Sequence, residues 1–387
     1  MKWLFWGSAT ILAYTYLGYP AWLWLRKRFR PRPLHASTYT PSVSIVMVIR
    51  NEAAVLERKL RNLLEINYPK DLGEIIVVSD GSIDATGKIL NYYRADPRVR
   101  VLLNPESHGK AAGLNDAIAA ARCDIVVFTD ARQKIEPDAI RLLAATFADP
   151  QVGCASGELM LGDPDSGQTT RGVGLYWRIE KMVREMESAS GSVVGATGAL
   201  YAVRRSLLVP VPVGTILDDV YIPMHVARRG FRVIFVPSAR AWDLADQGAE
   251  HEFSRKVRTL SGNYQLVQLA PWLLDSSNPL RFEFISHKLL RLFAPFSLAM
   301  CFCASLVLSQ SVYRVALALQ LAFYALSVLA MMKLLTGPLG RVAEAAQTFV
   351  VLNSAALVAF IKFASGRKVA WAGQARTENT RTSVRLG

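Results

Sequence analysis

The chain has 387 residues, of which 51% are hydrophobic, and its formal net charge is +14. Its mean hydropathy of +0.21 argues against a single soluble domain, although the middle of the chain has ordinary polarity. A nucleic-acid binder would show a basic face with interleaved aromatics, and that pattern is not evident. Much of the positive charge stands beside apolar segments, as in residues 26–32 (RKRFRPR), which favours anionic membrane lipids or a phosphate-bearing ligand as partners.

The first predicted element is an apolar segment, residues 3–25, about as long as a helix that crosses a bilayer. It stands where a signal peptide would stand. However, it is longer than the usual signal core, its basic cluster follows it, and no small-residue cleavage site ends it. We therefore expect residues 1–30 to form a retained transmembrane anchor, with residue 26 onward in the cytoplasm by the positive-inside tendency.

From Ser42 the pattern alternates between strands and helices, which predicts an α/β domain with a mostly parallel sheet covered on both faces. Continuous β-branched runs indicate buried strands, and charged amphipathic stretches between them indicate helices. The predicted strands are residues 43–49, 74–79, 99–103, 124–129 and 231–236, and the predicted helices are residues 52–64, 83–93, 110–121 and 221–229.

Two carboxylates, Asp80 and Asp130, stand just beyond the ends of two predicted strands, and the glycine-flanked Lys110 lies between them in sequence. Ligands bind at this edge of open parallel sheets. Taken alone, the turn that contains Asp80 is equally typical of a helix cap. The three residues together predict a binding site.

A second acidic pair, Asp218 and Asp219, precedes the predicted helix at residues 221–229. Capping of that helix and interaction with its dipole would account for such a pair. One carboxylate is enough for that purpose, so the other is free to take a proton from an incoming hydroxyl as a general base.

Three apolar stretches, residues 292–308, 312–332 and 345–363, predict membrane crossings, and residues 282–293 have the pattern of an amphipathic helix in the membrane interface. With a cytoplasmic middle, three crossings would leave the basic tail outside, against the positive-inside tendency. Either the last stretch is a hairpin or interfacial helix, or charge is a poor guide here. The expected domains are residues 1–30, 40–275, 280–366 and the basic tail 367–387.

Six short motifs follow one another along the soluble middle: 50–52 (RNE), 79–84 (SDGSID), 109–115 (GKAAGLN), 128–132 (FTDAR), 195–199 (GATGA) and 218–219 (DD). No single motif is specific. The ordered set resembles the family 2 glycosyltransferases, whose fold is the GT-A nucleotide-sugar domain, from about residue 43 to residue 265. The membrane segments resemble those of the polysaccharide synthase branch.

The resemblance implies a donor site with a divalent metal, Mg²⁺ or Mn²⁺. Asp80 looks like the aspartate that holds the base and ribose, Lys110 like the lysine near the diphosphate, and Asp130 like the first acid of the metal-binding D-x-D element. The second acid is replaced by Arg132, a permanent cation that cannot ligate a metal. Either Asp130 holds the metal with the diphosphate and waters, or Arg132 contacts phosphate itself, or the site has lost activity.

The resemblance also implies an acceptor side. Asp219, with Asp218 beside it, is similar to the family's catalytic base, and the motif that contains Thr197 and Gly198 would lie against the sugar. A base opposite the leaving group implies a single in-line displacement with inversion.

The processive signature Q-x-x-R-W is not present as such, and Arg255 and Arg258 stand at its place on one predicted helix face. They could grip the diphosphate, or they could belong to a basic helix that rests on the membrane surface. Without the tryptophan of that signature, processive synthesis is not predicted.

The expected function is an inverting glycosyltransferase of the inner (plasma) membrane, with a cytoplasmic catalytic domain. It would move a sugar from a nucleotide diphosphate donor, a UDP-sugar, to a membrane-proximal glycan or lipid-linked acceptor in exopolysaccharide or cell-surface glycan synthesis. The alternatives are a polyprenyl-phosphate sugar transferase and an inactive membrane scaffold. The sequence does not determine the sugar, the acceptor, the linkage or the oligomeric state.

Overall fold

The computed structural model describes residues 1–34, 39–163, 168–169, 175–243 and 249–366, so the basic tail 367–387 lies outside the described residues. Within these ranges it has nine strands: β1 (Val43–Ile49), β2 (Gly73–Asp80), β3 (Val99–Asn104), β4 (Ile125–Thr129), β5 (Lys134–Ile135), β6 (Val152–Asp163), β7 (Gln168–Thr169), β8 (Leu200–Arg204) and β9 (Arg232–Asp243).

The same ranges contain thirteen α-helices: α1 (Lys2–Ala13), α2 (Tyr19–Phe29), α3 (Ala53–Leu64), α4 (Thr86–Tyr93), α5 (Lys110–Ala120), α6 (Ala139–Ala145), α7 (Leu175–Ser190), α8 (Asp218–Arg228), α9 (Ala249–Leu269), α10 (Arg281–Glu283), α11 (Leu290–Val307), α12 (Ser311–Met331) and α13 (Gly337–Ala364). Two π-helical segments, Tyr14–Gly18 and Phe284–Leu289, join α1 to α2 and α10 to α11.

The strands form one mixed sheet in the order β3-β2-β1-β4-β8-β6-β9-β5, with β7 paired to β6. The first four strands are parallel, β8 is antiparallel to both of its neighbours, and β6 is parallel to β9. The predicted α/β class with a mostly parallel sheet is therefore confirmed. The sequence pattern did not predict β5, β6, β7 and β8, which include all the strands that pair antiparallel with a predicted strand.

Strand β1 lies at the centre of the core because all seven of its residues are buried. Ile45 and Met47 belong to a hydrophobic cluster with α3, α4 and α6, whereas Val46 and Val48 belong to a second cluster with α5 and α8. Helix α5 packs closely because a Cβ on Gly113 would lie 2.6 Å from Val48 Cγ1. The small residues of this helix therefore let it lie close to the sheet.

The predicted boundaries differ from the observed ones where side chains fix the local backbone. Helix α4 begins three residues later than expected because residues 82–85 form a turn, in which Asp84 Oδ1 accepts a hydrogen bond from the Thr86 amide at 3.0 Å. Helix α8 begins three residues earlier than expected, so both Asp218 and Asp219 lie in its first turn.

Three helical stretches are long and apolar enough to cross a membrane, Arg281–Val307, Ser311–Met331 and Gly337–Ala364, counted among the described residues. The N-terminal helix formed by α1 and α2 is not among them, and its role as an anchor stays a prediction. It packs on the C-terminal helices, where the Phe5 and Tyr313 ring centroids lie 4.9 Å apart, and it leaves Trp3 91% exposed.

The predicted interfacial helix at residues 282–293 is not a separate element. It is continuous with the first apolar stretch in the span Arg281–Val307. Its polar side chains contact other parts of the protein: His287 is buried against α7, and Glu283 forms an ion pair with Arg26 of α2. These internal partners account for the basic and acidic residues that suggested a surface helix.

Candidate active site

Lys110 joins two carboxylates at the edge of the sheet. Its Nζ lies 3.2 Å from Asp130 Oδ1 and 3.3 Å from Asp218 Oδ1. Lys110 begins α5, Asp130 follows β4, and Asp218 begins α8, so three separate segments meet here. Burial alone would lower the pKa of Lys110, but Asp130, Asp218 and Asp219 outweigh it and raise that pKa.

Asp219 is held at both its side chain and its main chain. Its Oδ2 accepts a hydrogen bond from the Gly198 amide at 3.1 Å, and its carbonyl accepts one from the Ala196 amide at 2.6 Å. A side chain at Gly198 would crowd the carboxylate, since a Cβ there would lie 3.1 Å from Asp219 Oδ2. Neither acid caps the helix, because the N-cap residue is Leu217 and no side-chain cap bond forms.

The surroundings of Asp219 disfavour its charged form. Burial and the neighbouring Asp218 raise the pKa of Asp219 to about 6, with Lys110 and Lys288 acting in the opposite direction. A carboxylate with a pKa just below neutrality is ionised at pH 7 and is still basic enough to accept a proton. The arrangement therefore fits the predicted general base, and that role stays a prediction.

Asp130 lies beside Lys110, and its side chain is 37% exposed. Burial opposes its ionisation, but Lys110, Arg132 and Arg258 lower the pKa of Asp130 below its ordinary value. The described residues contain no group of three or more His, Cys, Asp or Glu side chains that could hold a metal ion. An ionised, accessible carboxylate still fits a divalent metal that takes most of its ligands from a diphosphate and water.

The three arginines predicted for the donor side are placed differently. Arg132 and Arg258 are close enough to Asp130 to stabilise its negative charge. Arg255 forms an ion pair with Asp243 at 3.3 Å, so its guanidinium has a carboxylate partner within the protein. Arg258 and Arg132, rather than Arg255, are therefore the arginines grouped with Lys110 and Asp130.

Asp80 occupies a different environment from the one expected of a nucleoside ligand. Its side chain is fully buried, and it accepts hydrogen bonds from the Ser107 hydroxyl at 2.7 Å, the His108 amide at 2.8 Å and the Gly109 amide at 3.0 Å. Gly81 permits this close approach, because a Cβ there would lie 2.6 Å from the Ser107 nitrogen. Asp80 thus orders the loop that leads into Lys110, because its carboxylate accepts three hydrogen bonds from that loop.

Thr197, predicted for the acceptor side, is held by two polar side chains. Its hydroxyl accepts a hydrogen bond from Arg184 Nη1 at 2.8 Å, and its amide donates to Ser156 Oγ at 2.9 Å. Arg184 Nη2 donates to the same Ser156 hydroxyl at 2.7 Å. The sequence analysis missed Arg184 and Ser156, because no motif marks them.

Lys59 is a second residue that sequence reasoning missed. It is buried on α3 and donates to Thr129 Oγ1 at 2.9 Å and to the Gln133 carbonyl at 2.7 Å, on either side of Asp130 in sequence. Burial lowers the pKa of Lys59 to about 7, against the attraction of Asp130. The sequence pattern could have indicated this burial, because Lys59 stands at an apolar position of an amphipathic helix, between the buried Leu56 and Leu63.

Comparison with known proteins agrees with this geometry. Residues 44–209 match the family described as Glycosyl transferase family 2. The chain is 24% identical over 229 residues to the poly-beta-1,6-N-acetyl-D-glucosamine synthase of Staphylococcus aureus (strain COL), which covers 58% of this chain and 55% of the relative. It is 25% identical over 240 residues to the probable glycosyltransferase YdaM of Bacillus subtilis (strain 168), covering 59% and 56%. The matches thus span about half the length of these relatives.

Among solved structures, the chain is similar to the mannosyltransferase PcManGT from Pyrobaculum calidifontis in complex with GDP-Man and Mn²⁺. The TM-score is 0.72 at 25% sequence identity, and the match covers 94% of this chain and 99% of that one. The similarity therefore extends beyond the catalytic domain to the membrane-type helices. Residues 44–209 are thus a domain of the glycosyl transferase family 2 type, and the chain is a glycosyltransferase with a GT-A-type catalytic domain.

Proposed function

We propose that this glycosyltransferase moves a sugar from a nucleoside diphosphate donor to a hydroxyl of a membrane-held acceptor, with inversion at the anomeric carbon. The observation that carries the proposal is the placement of Lys110 between Asp130 and Asp218, with Asp219 as the next residue. The site thus offers a cation for a leaving diphosphate and a separate carboxylate for an incoming hydroxyl.

The donor half of the proposal rests on the positive charges around Asp130. When the bond between the anomeric carbon and the diphosphate breaks, negative charge develops on the leaving group, and Lys110, Arg132 and Arg258 stabilise it. A divalent metal, Mg²⁺ or Mn²⁺, bound by Asp130 and the diphosphate would add Lewis-acid stabilisation. We propose a UDP-sugar as donor, and GDP-mannose is the second donor to test because PcManGT is in complex with it.

The acceptor half rests on Asp219. The acceptor oxygen forms the new bond to the anomeric carbon while its proton passes to the Asp219 carboxylate, which is ionised at neutral pH. A polyprenyl phosphate would need no such base, because phosphate oxygens are already ionised at neutral pH. A carboxylate placed to accept a proton is therefore what makes a hydroxyl acceptor our first choice over a lipid phosphate.

The membrane part of the proposal rests on the C-terminal helices. Three stretches could cross a membrane, and the curated relatives of this chain are bacterial. We propose an inner-membrane protein with residues 1–30 as an anchor, residues 40–275 as a cytoplasmic catalytic domain and residues 280–366 as the membrane region. The acceptor would be a glycan or lipid-linked glycan in exopolysaccharide or cell-surface synthesis.

The test is nucleoside diphosphate release by purified protein in detergent, with a panel of UDP- and GDP-sugars, with Mg²⁺, Mn²⁺ or EDTA, and with acceptor lipid extracts. We expect release and a glycosidic product with one donor class, and product formation slower by about a hundredfold or more in Asp219→Asn. Binding of nucleotide without consumption of any donor would support the inactive scaffold. A phosphate-linked monosaccharide in the lipid extract would replace the hydroxyl acceptor with a polyprenyl phosphate.

A further inference from the structure

Arg184 of α7 connects two segments beside the proposed base. It donates to the hydroxyls of Thr197 and Ser156, and its guanidinium lies over the Phe235 ring at 4.3 Å. Within the part of the chain that the structure describes, no carboxylate forms an ion pair with it at 4.0 Å or less. Arg184 therefore makes its hydrogen bonds to neutral partners, while its charge interacts over a longer distance with Glu180, Glu187 and Asp219.

The segment that Arg184 holds is the one that holds Asp219. Thr197 lies between Ala196 and Gly198, whose amides donate to the carbonyl and the carboxylate of Asp219. A shift of Thr197 would move both of these donors. The orientation of the base thus depends on a loop that is anchored by one arginine.

Helix α7 also makes polar contacts, on both sides of Arg184, with α2 and with the helical stretch Arg281–Val307. Glu180 and Glu187 stand four residues before and three residues after Arg184, so all three lie on one helix face. Glu187 Oε1 accepts a hydrogen bond from the Tyr19 hydroxyl at 2.6 Å and lies 2.8 Å from His287 Nδ1. Glu180 lies 3.0 Å from His287 Nε2, and it accepts a hydrogen bond from Arg291.

We propose that Arg184 is a positioning residue for the base Asp219. We also propose that His287, in the π-helical segment Phe284–Leu289, keeps Arg184 in place because it binds Glu180 and Glu187 of α7. The inference rests on the proposed function, because it assigns Asp219 the role of base. Its physical reason is that the activation free energy of an in-line displacement depends on the orientation of the reacting groups. The catalytic site would therefore be complete only when the membrane helices are docked on α7.

The experiment compares Arg184→Met, Arg184→Lys and His287→Ala with a matched control, Arg204→Met. Arg204 is also a partly buried arginine that binds main-chain carbonyls, those of Val152, Phe147 and Asp149, and it lies over the Phe147 ring. Its removal should lower stability without reaching the loop at residues 196–198.

We expect Arg184→Met to lower kcat by roughly tenfold or more while nucleotide affinity stays within about twofold, because orientation and not donor binding is lost. The acid limb of its rate profile should also move to higher pH, because a cation near Asp219 is removed. The charges that face Asp219 from other elements, Asp218, Asp130, Lys110 and Lys288, are unchanged. Arg184→Lys should recover part of kcat, and His287→Ala should lower kcat in the same way.

Equal kcat and equal pH midpoints for Arg184→Met and Arg204→Met would overturn the inference. Amide hydrogen exchange of residues 194–199 gives a readout that needs no turnover. Faster exchange there in Arg184→Met and His287→Ala, but not in Arg204→Met, supports the positioning role. This result would hold even if the protein consumed no donor, and in that case only the proposed function would be refuted. Unchanged exchange in all three variants refutes the positioning role.

Discussion

Replacing Asp219 by Asn should remove most of the activity and at the same time stabilise the folded protein at neutral pH. The pKa of Asp219 is raised from its ordinary value of 3.8 to about 6, mainly by burial and by Asp218. The folded protein thus binds this proton more tightly than the unfolded chain does. The free energy of unfolding must therefore fall as the pH rises from below 4 to above 6, where the carboxylate is ionised.

The size of the effect follows from the pKa. One pKa unit corresponds to about 1.4 kcal/mol, so the ionised carboxylate lowers stability by about 3 kcal/mol at pH 7, as an upper bound. Asn has the same shape, carries no charge and can still accept the hydrogen bond from the Gly198 amide. It cannot take a proton from a hydroxyl, so kcat should fall by about 10²–10⁴ while nucleotide affinity is largely kept.

Thermal unfolding in detergent at pH 8 and pH 4 measures the stability part. Since 1 kcal/mol of stability corresponds to about 2–4 °C in melting temperature, the Asn variant should melt several degrees above wild type at pH 8. The difference in melting temperature should disappear at pH 4, where Asp219 of the wild type is protonated. Asp218→Asn is the comparison, since it removes the ion pair with Lys110 together with the repulsion of Asp219 and should stabilise the protein less than Asp219→Asn does. Wild-type turnover in Asp219→Asn, or a melting temperature no higher than wild type at pH 8, would refute the reasoning.

Three further predictions concern the donor side. Lys110→Met should weaken nucleoside diphosphate binding by about tenfold to a hundredfold in isothermal titration, because a charged hydrogen bond to phosphate contributes about 1.5–3 kcal/mol. Arg132→Ala should weaken the same binding, both with and without Mn²⁺, if the guanidinium contacts phosphate; unchanged affinity in both conditions would leave Asp130 as the sole anchor for the metal. Asp80→Ala should lower both the melting temperature and nucleotide affinity, because it frees the loop at residues 107–109; loss of affinity with unchanged stability would restore Asp80 as a direct ligand.

Much of the donor-side cluster could be predicted from the sequence because local patterns determine it. The buried strand β4 ends at Thr129, and the carboxyl ends of parallel strands meet at one edge of a sheet. The positions of Asp130 and Lys110 follow from that rule. The burial of Asp80 does not follow from it, because the donors that fill its carboxylate come from a loop 27 to 29 residues further along the chain.

The contacts between α7 and the membrane helices could not be predicted in the same way. His287 and Glu187 are 100 residues apart in sequence, and Tyr19 and Glu187 are 168 apart. Each of these side chains alone fits a surface position of an amphipathic helix. The ion pairs exist only because the membrane helices pack against α7, and no local periodicity encodes that packing.

The site has three cations around Asp130 and a separate pair of carboxylates, and under the proposed function this arrangement explains why Arg132 can replace the second D-x-D acid. Lys110, Arg132 and Arg258 surround Asp130, whereas Asp218 and Asp219 stand together on the other side of Lys110. An in-line displacement needs positive charge where the diphosphate leaves and negative charge where the hydroxyl loses its proton. Under the proposed function, Arg132 shifts donor binding from metal coordination towards direct charge pairing, so activity should persist at divalent metal concentrations too low for a two-carboxylate site. Loss of activity at low divalent metal in Arg132→Ala that added Mn²⁺ restores would agree with this account, whereas unchanged activity of that variant at low metal would contradict it.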